Sequence, residues 1–391
     1  MNRILIENSR IWQQDGFVAG HTLVLRDGLI EAVRPPADIA PQPGDRRIDG
    51  RGACAIPGFV DVHLHGSVGF DVMDGSPPSL AGLADFLLQQ GVTSALATTM
   101  TDTPERIEAA LAAYADRGVA PFRGLHIEGP YLNAAFRGSQ PAPHLRQPRP
   151  AEYLPWLKTG LVKLMTIAPE IPAGERLLRD ALSHGAAVSI GHSGASYEAA
   201  TRYFALGASQ VTHTFNGMAG IHHREPGLFI AALESPNVTF QLIPDGIHVH
   251  PAVVRMLLRL VGIERLALIT DAMKATGLGD GDYALGDVFV RVKDGQARTP
   301  EGGLAGSTLT MGQALKHMMR FCDLTLAEAL PMVTRVPARS IGIYPQKGSL
   351  EIGADADVLL WHEEEGLQAT VIGGELVYQA EGAWSAATAD A

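Results

Sequence analysis

The sequence predicts an α/β fold: a TIM (β/α)8 barrel carrying a small β-sandwich domain built from both termini. Three observations predict it. Between about residues 56 and 345, short apolar, β-branched runs alternate with helical patterns, the rhythm of repeated βα units. The two flanks read instead as short strands broken by turns: RILIENSRIWQQDG and TLVLRDGLIEAV at the start, GSLEIGADADVLLW and ATVIGGELVYQ at the end. Finally, histidines and carboxylates recur where the central apolar runs stop. The expected division is 1–55 with 346–391 for the β domain and 56–345 for the barrel.

Taken in order, the eight candidate strands fall at 55–66, 92–100, 123–130, 161–170, 186–194, 210–217, 238–246 and 265–273. Helix-like segments separate them, among them 79–90, 104–117, 174–184, 196–206 and 251–261. Eight such units match the roughly 250 residues of a TIM barrel. After the eighth strand, 277–303 reads as a hairpin insert (YALGDVFVRVKDGQART). A chain of 391 residues, 46% of them hydrophobic, can fill one large core and a small one. Its 43 glycines and 25 prolines are spread along the chain and supply the many turns this pattern needs.

Charge and cysteine usage exclude several classes. The formal net charge is −11, without a run of lysine or arginine, which argues against nucleic acid or an anionic membrane as partner. A small anionic substrate stays open, because one arginine fork can hold a phosphate. Cys54 and Cys322 are far apart, a reduced, cytoplasmic pattern rather than a disulfide framework. The start, MNRILIENSRIWQQDG, carries charges throughout and lacks the apolar core of a signal peptide. No stretch is long and apolar enough to span a bilayer. The expectation is a cytoplasmic protein.

The polar residues at the strand ends point to chemistry. TIM barrels carry catalytic groups at the C-terminal ends of their strands. Here His63 and His65 close the first strand, Glu128 the third, His192 the fifth, His213 the sixth and Asp271 the eighth. Strand alternation puts His63 and His65 on one side, facing the barrel mouth. One histidine at a strand end is ordinarily a hydrogen-bonded structural residue, and His-x-His alone is a weak motif. Six such groups converging on one mouth have few structural explanations, since unpaired buried charge is costly. Imidazoles with carboxylates suit zinc, iron or manganese better than calcium.

The chain resembles the N-acetylglucosamine-6-phosphate deacetylases of the amidohydrolase superfamily. The stretches that carry the resemblance are PGFVDVHLHG (57–66), GLHIEGPYLN (124–133), TIAPE (166–170), GHSGAS (191–196), THTFNGM (212–218), HHREPG (222–227), PDGIHVH (244–250), ITDAM (269–273) and LAGSTLTM (304–311). The resemblance implies a divalent metal held by Glu128, His192 and His213. It allows a second ion at His63 and His65, bridged by Glu128 and touched by Asp271. Lys163, near the start of its strand, is expected to be structural rather than a bridging ligand. Asp271 is implied as the carboxylate that orients water, takes its proton and returns it to the departing amine. Substrate contacts are implied for Ser139, Gln140, Asn216, Gly217, Arg224, Asp245, Gly246, His248 and the segment Leu304, Ala305 and Gly306. Arg224 would pair with phosphate. The implied partner is a phosphorylated amino sugar, and the default assembly is a homodimer.

Three positions depart from the family's pattern. Gln140 stands twelve residues after Glu128, where the family has a histidine that helps polarise the acyl carbonyl; an amide donates a hydrogen bond but carries no charge. His250 and Gly217 replace an acidic residue and an alanine. Gln140 leaves open another N-acyl sugar, such as N-acetylgalactosamine 6-phosphate. A cyclic-amide hydrolase or nucleobase deaminase would share the barrel, and a non-catalytic phosphosugar binder would not need Asp271 beside a metal.

Overall fold

The computed structural model describes residues 3–382 except 15 and 117–119. The last position of the expected helix at 104–117 and the tail 383–391 of the expected β domain lie outside them.

Eight parallel strands form one sheet, each bonded to the next in chain order. They are β1 (Phe59–Leu64), β2 (Val92–Thr99), β3 (Phe122–Glu128), β4 (Val162–Ile167), β5 (Ala187–Ile190), β6 (Gln210–Val211), β7 (Thr239–Leu242) and β8 (Leu266–Leu268). The sheet closes just beyond β8, where Asp271 N–H donates to the His63 carbonyl at 2.9 Å and His65 N–H to the Ala272 carbonyl at 2.8 Å. Inside the seam the Thr270 hydroxyl donates to the Asp61 carboxylate at 2.5 Å. Burial pushes the Asp61 carboxyl up to about 6, against the pull of Thr270.

A helix follows each strand: α1 (Pro77–Gln89), α2 (Pro104–Asp116), α3 (Pro150–Lys158), α4 (Gly174–Ser183), α5 (Tyr197–Ala205), α6 (Gly227–Glu234), α7 (Pro251–Val261) and α8 (Met311–Cys322). Several starts are written locally. Ser76 and Ser196 accept from Ser79 N–H and Ala199 N–H, and Thr310 with Gln313 makes a capping box. Helices outside and side chains within leave strands such as β2 buried along their whole length, which is why they read as continuous apolar runs.

The flanks form two sheets, one of four strands and one of six. The four-stranded sheet comes wholly from the N-terminal segment. The six-stranded one joins Glu375–Gln379, Gly366–Ile372 and Val358–His362 to Cys54–Pro57, Arg10–Gln13 and Gly16–Val18. Alternation sorts the four-stranded sheet: Ile4, Ile6, Leu23 and Leu25 join the main core, while Leu5, Val24 and Ala32 cluster separately with Ile39. The expected first strand, 55–66, is therefore two. Cys54–Pro57 pairs with Val358–His362 in the terminal sheet, and the chain turns at Gly58 before β1. Residues 281–298 are three antiparallel strands rather than a simple hairpin, because Gln296–Arg298 pairs with Val288–Lys293. No helix is long and apolar enough to cross a membrane among the described residues.

Candidate active site

Glu128, the last residue of β3, is the centre of the barrel mouth. Its Oε1 lies 3.1 Å from His213 Nε2, 3.2 Å from His192 Nε2 and 3.4 Å from His63 Nε2; its Oε2 lies 3.2 Å from His65 Nε2. Asp271 Oδ1 faces the same group, 3.2 Å from His65 Nε2 and 3.5 Å from His63 Nε2. His63, His65 and Glu128 are all but inaccessible, and Asp271 is 8% exposed.

The opposite ring nitrogens show what this cluster is built to hold. His65, His192 and His213 place Nδ1 at 3.2, 3.0 and 3.1 Å from the carbonyls of Thr98, Phe136 and Asn216. A carbonyl only accepts, so each Nδ1 carries the proton and each Nε2 of the neutral ring keeps its lone pair. His63 Nδ1 faces the Gln241 side-chain oxygen at 3.3 Å, and its Nε2 is buried without a hydrogen-bond partner among the described residues. With all four rings neutral, four nitrogen lone pairs would face one carboxylate and repel it unless a cation, a metal ion or a proton, lay between. The donor atoms fall into two groups that share Glu128, one with His63 and His65 and one with His192 and His213. The residues present therefore fit one or two divalent metal ions.

The electrostatics agree. Burial works against the Glu128 charge, but His63, His192 and His213 outweigh it and hold the carboxyl well below its usual range. Asp271 is likewise lowered, burial being overcome by His65 and His63. Burial disfavours charge on His65, yet Asp271 and Glu128 overcome it and push the imidazole up to about 10. Without a metal, a proton on His65 supplies part of the positive charge the carboxylates demand.

These groups are delivered by strained backbone at the strand ends. His192, His213 and Asp271 have φ of +47°, +27° and +50°, a left-handed conformation that costs non-glycine residues roughly 1–3 kcal/mol and concentrates at functional sites. The expected long sixth and eighth strands end early for this reason: the chain leaves the ladder to turn His213 and Asp271 inward. Gly217 is fixed by the same crowding. It has φ of +59°, and a Cβ there would sit 2.9 Å from His192 Nδ1, so the alanine expected from the family pattern does not fit this backbone.

Above the cluster opens a cavity of about 320 Å³. Of the residues singled out from sequence, His65, Glu128, Ser139, Gln140, His192, His213, Asn216, Gly217, His248, Asp271, Leu304 and Gly306 line it. His63 sits behind the lining. Asp245 does not line it: its carboxylate binds His248 Nδ1 at 2.6 Å and the backbone N–H groups of Ile247 and His248. Gly246 stands outside, against the Phe321 ring, and Ala305 is wholly buried with its N–H on the Ala297 carbonyl. Arg224 is exposed and contacts His223. Lys163 donates from Nζ to the Gly160 carbonyl at the foot of β4.

Comparison with known proteins places this arrangement. The amidohydrolase family model matches residues 54–377. The chain is 37% identical to N-acetylglucosamine-6-phosphate deacetylase of Vibrio furnissii, covering 94% of this chain and 92% of that protein. The chain belongs to the N-acetylglucosamine-6-phosphate deacetylase family of the amidohydrolases. It is also 35% identical to N-acetylgalactosamine-6-phosphate deacetylase of Escherichia coli O157:H7, over 94% of this chain and 97% of the other. Among solved structures, an N-acetyl-D-glucosamine-6-phosphate deacetylase variant from Mycobacterium smegmatis, in complex with N-acetyl-D-glucosamine-6-phosphate, superposes with a TM-score of 0.89 at 31% identity. The match covers 97% of this chain and 99% of that one.

Within this deacetylase fold, Gln140 is already engaged. Its amide nitrogen donates to Glu128 Oε2 at 2.8 Å and its oxygen accepts from Thr101 N–H at 2.8 Å. It braces the carboxylate rather than facing the cavity with a free donor. His250, the other departure, caps α7 by accepting from Ala252 N–H. Sequence reasoning missed Gln241, His126, Met100, Leu285 and Thr299. Met100, Leu285 and Thr299 line the cavity. His126 lies under His63, ring centroids 4.6 Å apart, with Nε2 2.7 Å from Thr166 Oγ1. Burial, with His63 adding to it, holds His126 well below its ordinary value, so the ring is neutral. His126 was detectable two residues before Glu128 on the same strand, hence on the same face.

Proposed function

We propose that the chain removes the acetyl group of N-acetylglucosamine 6-phosphate, releasing glucosamine 6-phosphate and acetate, with Asp271 as general base and then general acid. The observation that carries this reading is one carboxylate, Glu128, faced by four imidazole Nε2 atoms, with Asp271 3.2 Å from one of them, under a cavity of about 320 Å³. That volume suits a single small sugar.

Glu128, His192 and His213 would hold one divalent cation, and His63 and His65 a second beside Asp271; zinc, iron and manganese all suit these donors. Bound there, the metal supplies a Lewis acid that acidifies water and polarises the acyl carbonyl. Asp271 would orient the attacking water and accept its proton as the new C–O bond forms. It then hands that proton to the sugar nitrogen as the C–N bond breaks. Gln140 keeps Glu128 in place. Ser139, Asn216, Gly217, His248, Leu304 and Gly306 meet the sugar and its phosphate, Asp245 setting the His248 ring.

Arg224 does not line its own chain's cavity, and Ile221, three residues earlier in the chain, is 52% accessible. Both features support a homodimer in which Arg224 of one copy clamps the phosphate in the other. Residues 56–345 form the catalytic unit and the terminal segments its β support. Both cysteines are free, which supports a cytoplasmic location.

The 35% identity to an N-acetylgalactosamine-6-phosphate deacetylase favours that epimer as a second reading with the same chemistry. A cyclic-amide hydrolase would want a lysine at the C-terminal end of β4, and Lys163 is at the other end. The test is Asp271→Asn. Turnover is expected to fall by about 10²–10⁴-fold while metal content and sugar-phosphate binding persist. Unchanged turnover would remove Asp271 from the reaction.

A further inference from the structure

We propose that Gln241 and Gln210 form an amide relay that fixes the ring hydrogen of His63 and so prepares the metal position at His63 and His65. The inference rests on the metal reading given above and concerns what makes one half of that site competent.

Three of the four histidines have Nδ1 bound to a backbone carbonyl, an acceptor the fold cannot reverse. His63 is the exception. Its Nδ1 faces the side chain of Gln241 at 3.3 Å, and an amide can present either an oxygen or an NH₂ group. The end it presents decides the ring. An oxygen draws the hydrogen to Nδ1 and leaves Nε2 a lone pair toward Glu128 and Asp271. An NH₂ group would force the hydrogen onto Nε2 and remove that donor from the site.

The choice is made farther down the barrel. Gln241 Nε2 is 3.0 Å from Gln210 Oε1, and Gln210 Nε2 is 2.9 Å from the Ser340 carbonyl. That carbonyl only accepts, so Gln210 must turn its NH₂ toward Ser340 and its oxygen toward Gln241. Gln241 must then donate to Gln210 and show its own oxygen to His63. Reversing either amide sets oxygen against oxygen at one contact. Both glutamines are wholly buried, where an unmatched polar pair is costly, so the arrangement is held without water to rescue the alternative. His63 Nε2, correspondingly, is buried and has no hydrogen-bond partner among the described residues.

The ion at His192 and His213 owes nothing to this relay; the ion at His63 and His65 depends on it. The experiment is a cobalt(II) titration of the metal-free full chain, followed by visible absorption and chelator competition, for wild type, Gln241→Met, Gln210→Met and Gln241→Glu. Loss of an outer-shell partner typically costs 10–100-fold in metal affinity. Gln241→Met should weaken one of two ions by about that factor and leave the other unchanged. Gln210→Met, which touches neither His63 nor the ion, should act in the same direction and carries the test if Gln241→Met does not fold. Gln241→Glu, whose buried carboxyl in its protonated form can donate to Gln210 and still present an oxygen to Nδ1, should recover most of the affinity. Two ions bound as tightly in Gln241→Met or Gln210→Met as in wild type would overturn the relay alone. A wild type that binds fewer than two ions would instead overturn the two-ion reading beneath it.

Discussion

Gln140 spends both ends of its amide, on Thr101 N–H and on Glu128 Oε2, each at 2.8 Å. A buried group left without its partner costs about 1–3 kcal/mol. Gln140→Leu strands the Thr101 N–H and removes one partner of Glu128 Oε2, which still faces His65, and should therefore lower unfolding stability by about 2 kcal/mol, read from urea midpoints, and weaken metal binding through a less restrained Glu128. At Gly217 the added methyl of Gly217→Ala would strike His192 Nδ1 at 2.9 Å and break its bond to the Phe136 carbonyl. Metal affinity at the His192 and His213 group should fall about 10-fold or more in a chelator titration. At this scale the convergence of His63, His65, Glu128, His192, His213 and Asp271 was plain in the sequence, because six metal-type residues at strand ends have no common structural use. The roles of Asp245 and Gln140 were not, because which polar neighbour a side chain chooses is decided by tertiary contacts that spacing does not encode.

The seam between β1 and the turn after β8 is held in part by one buried side-chain hydrogen bond. Thr270 is a hydroxyl donor to a fully buried Asp61, and hydrogen bonds to charged groups contribute roughly 1.5–3 kcal/mol. Thr270→Val should lower stability by about 2 kcal/mol in denaturant unfolding of the metal-loaded protein, with the urea slope unchanged if the barrel stays closed. The βα rhythm revealed the strands and most helices, since strands buried on both faces leave unbroken apolar runs. Their ends were less legible. His192, His213 and Asp271 lie past the last ladder residues with positive φ, and no periodicity announces a left-handed residue. The third strand of the 281–298 insert was also hidden, being only Gln296–Arg298.

For the whole molecule, metal and protons compete for the same nitrogens. In the metal-free chain the His65 imidazole is raised from 6.5 to about 10, by Asp271 and Glu128 acting against burial. A group whose folded value is raised stabilises fully below its unfolded value and loses that contribution as pH climbs through the folded one. The melting temperature of chelator-treated protein should therefore decline between about pH 6.5 and 10. Metal loading displaces that proton and should reverse the trend over the lower part of this window, the loaded protein gaining on the metal-free one as pH rises. At 1,000 times its dissociation constant a metal would add about 4 kcal/mol. Melting curves against pH, with and without chelator, check both signs.

On this reading the barrel mouth deacetylates a phosphorylated N-acetyl amino sugar. Acetate release by the purified, metal-analysed protein tests it most directly, with N-acetylglucosamine 6-phosphate, its galactosamine epimer and unphosphorylated N-acetylglucosamine side by side. Rapid release is expected from the first, slow or no release from the sugar lacking phosphate, and loss of activity when metal is removed. A metal-loaded protein that releases acetate from none of the three would contradict it.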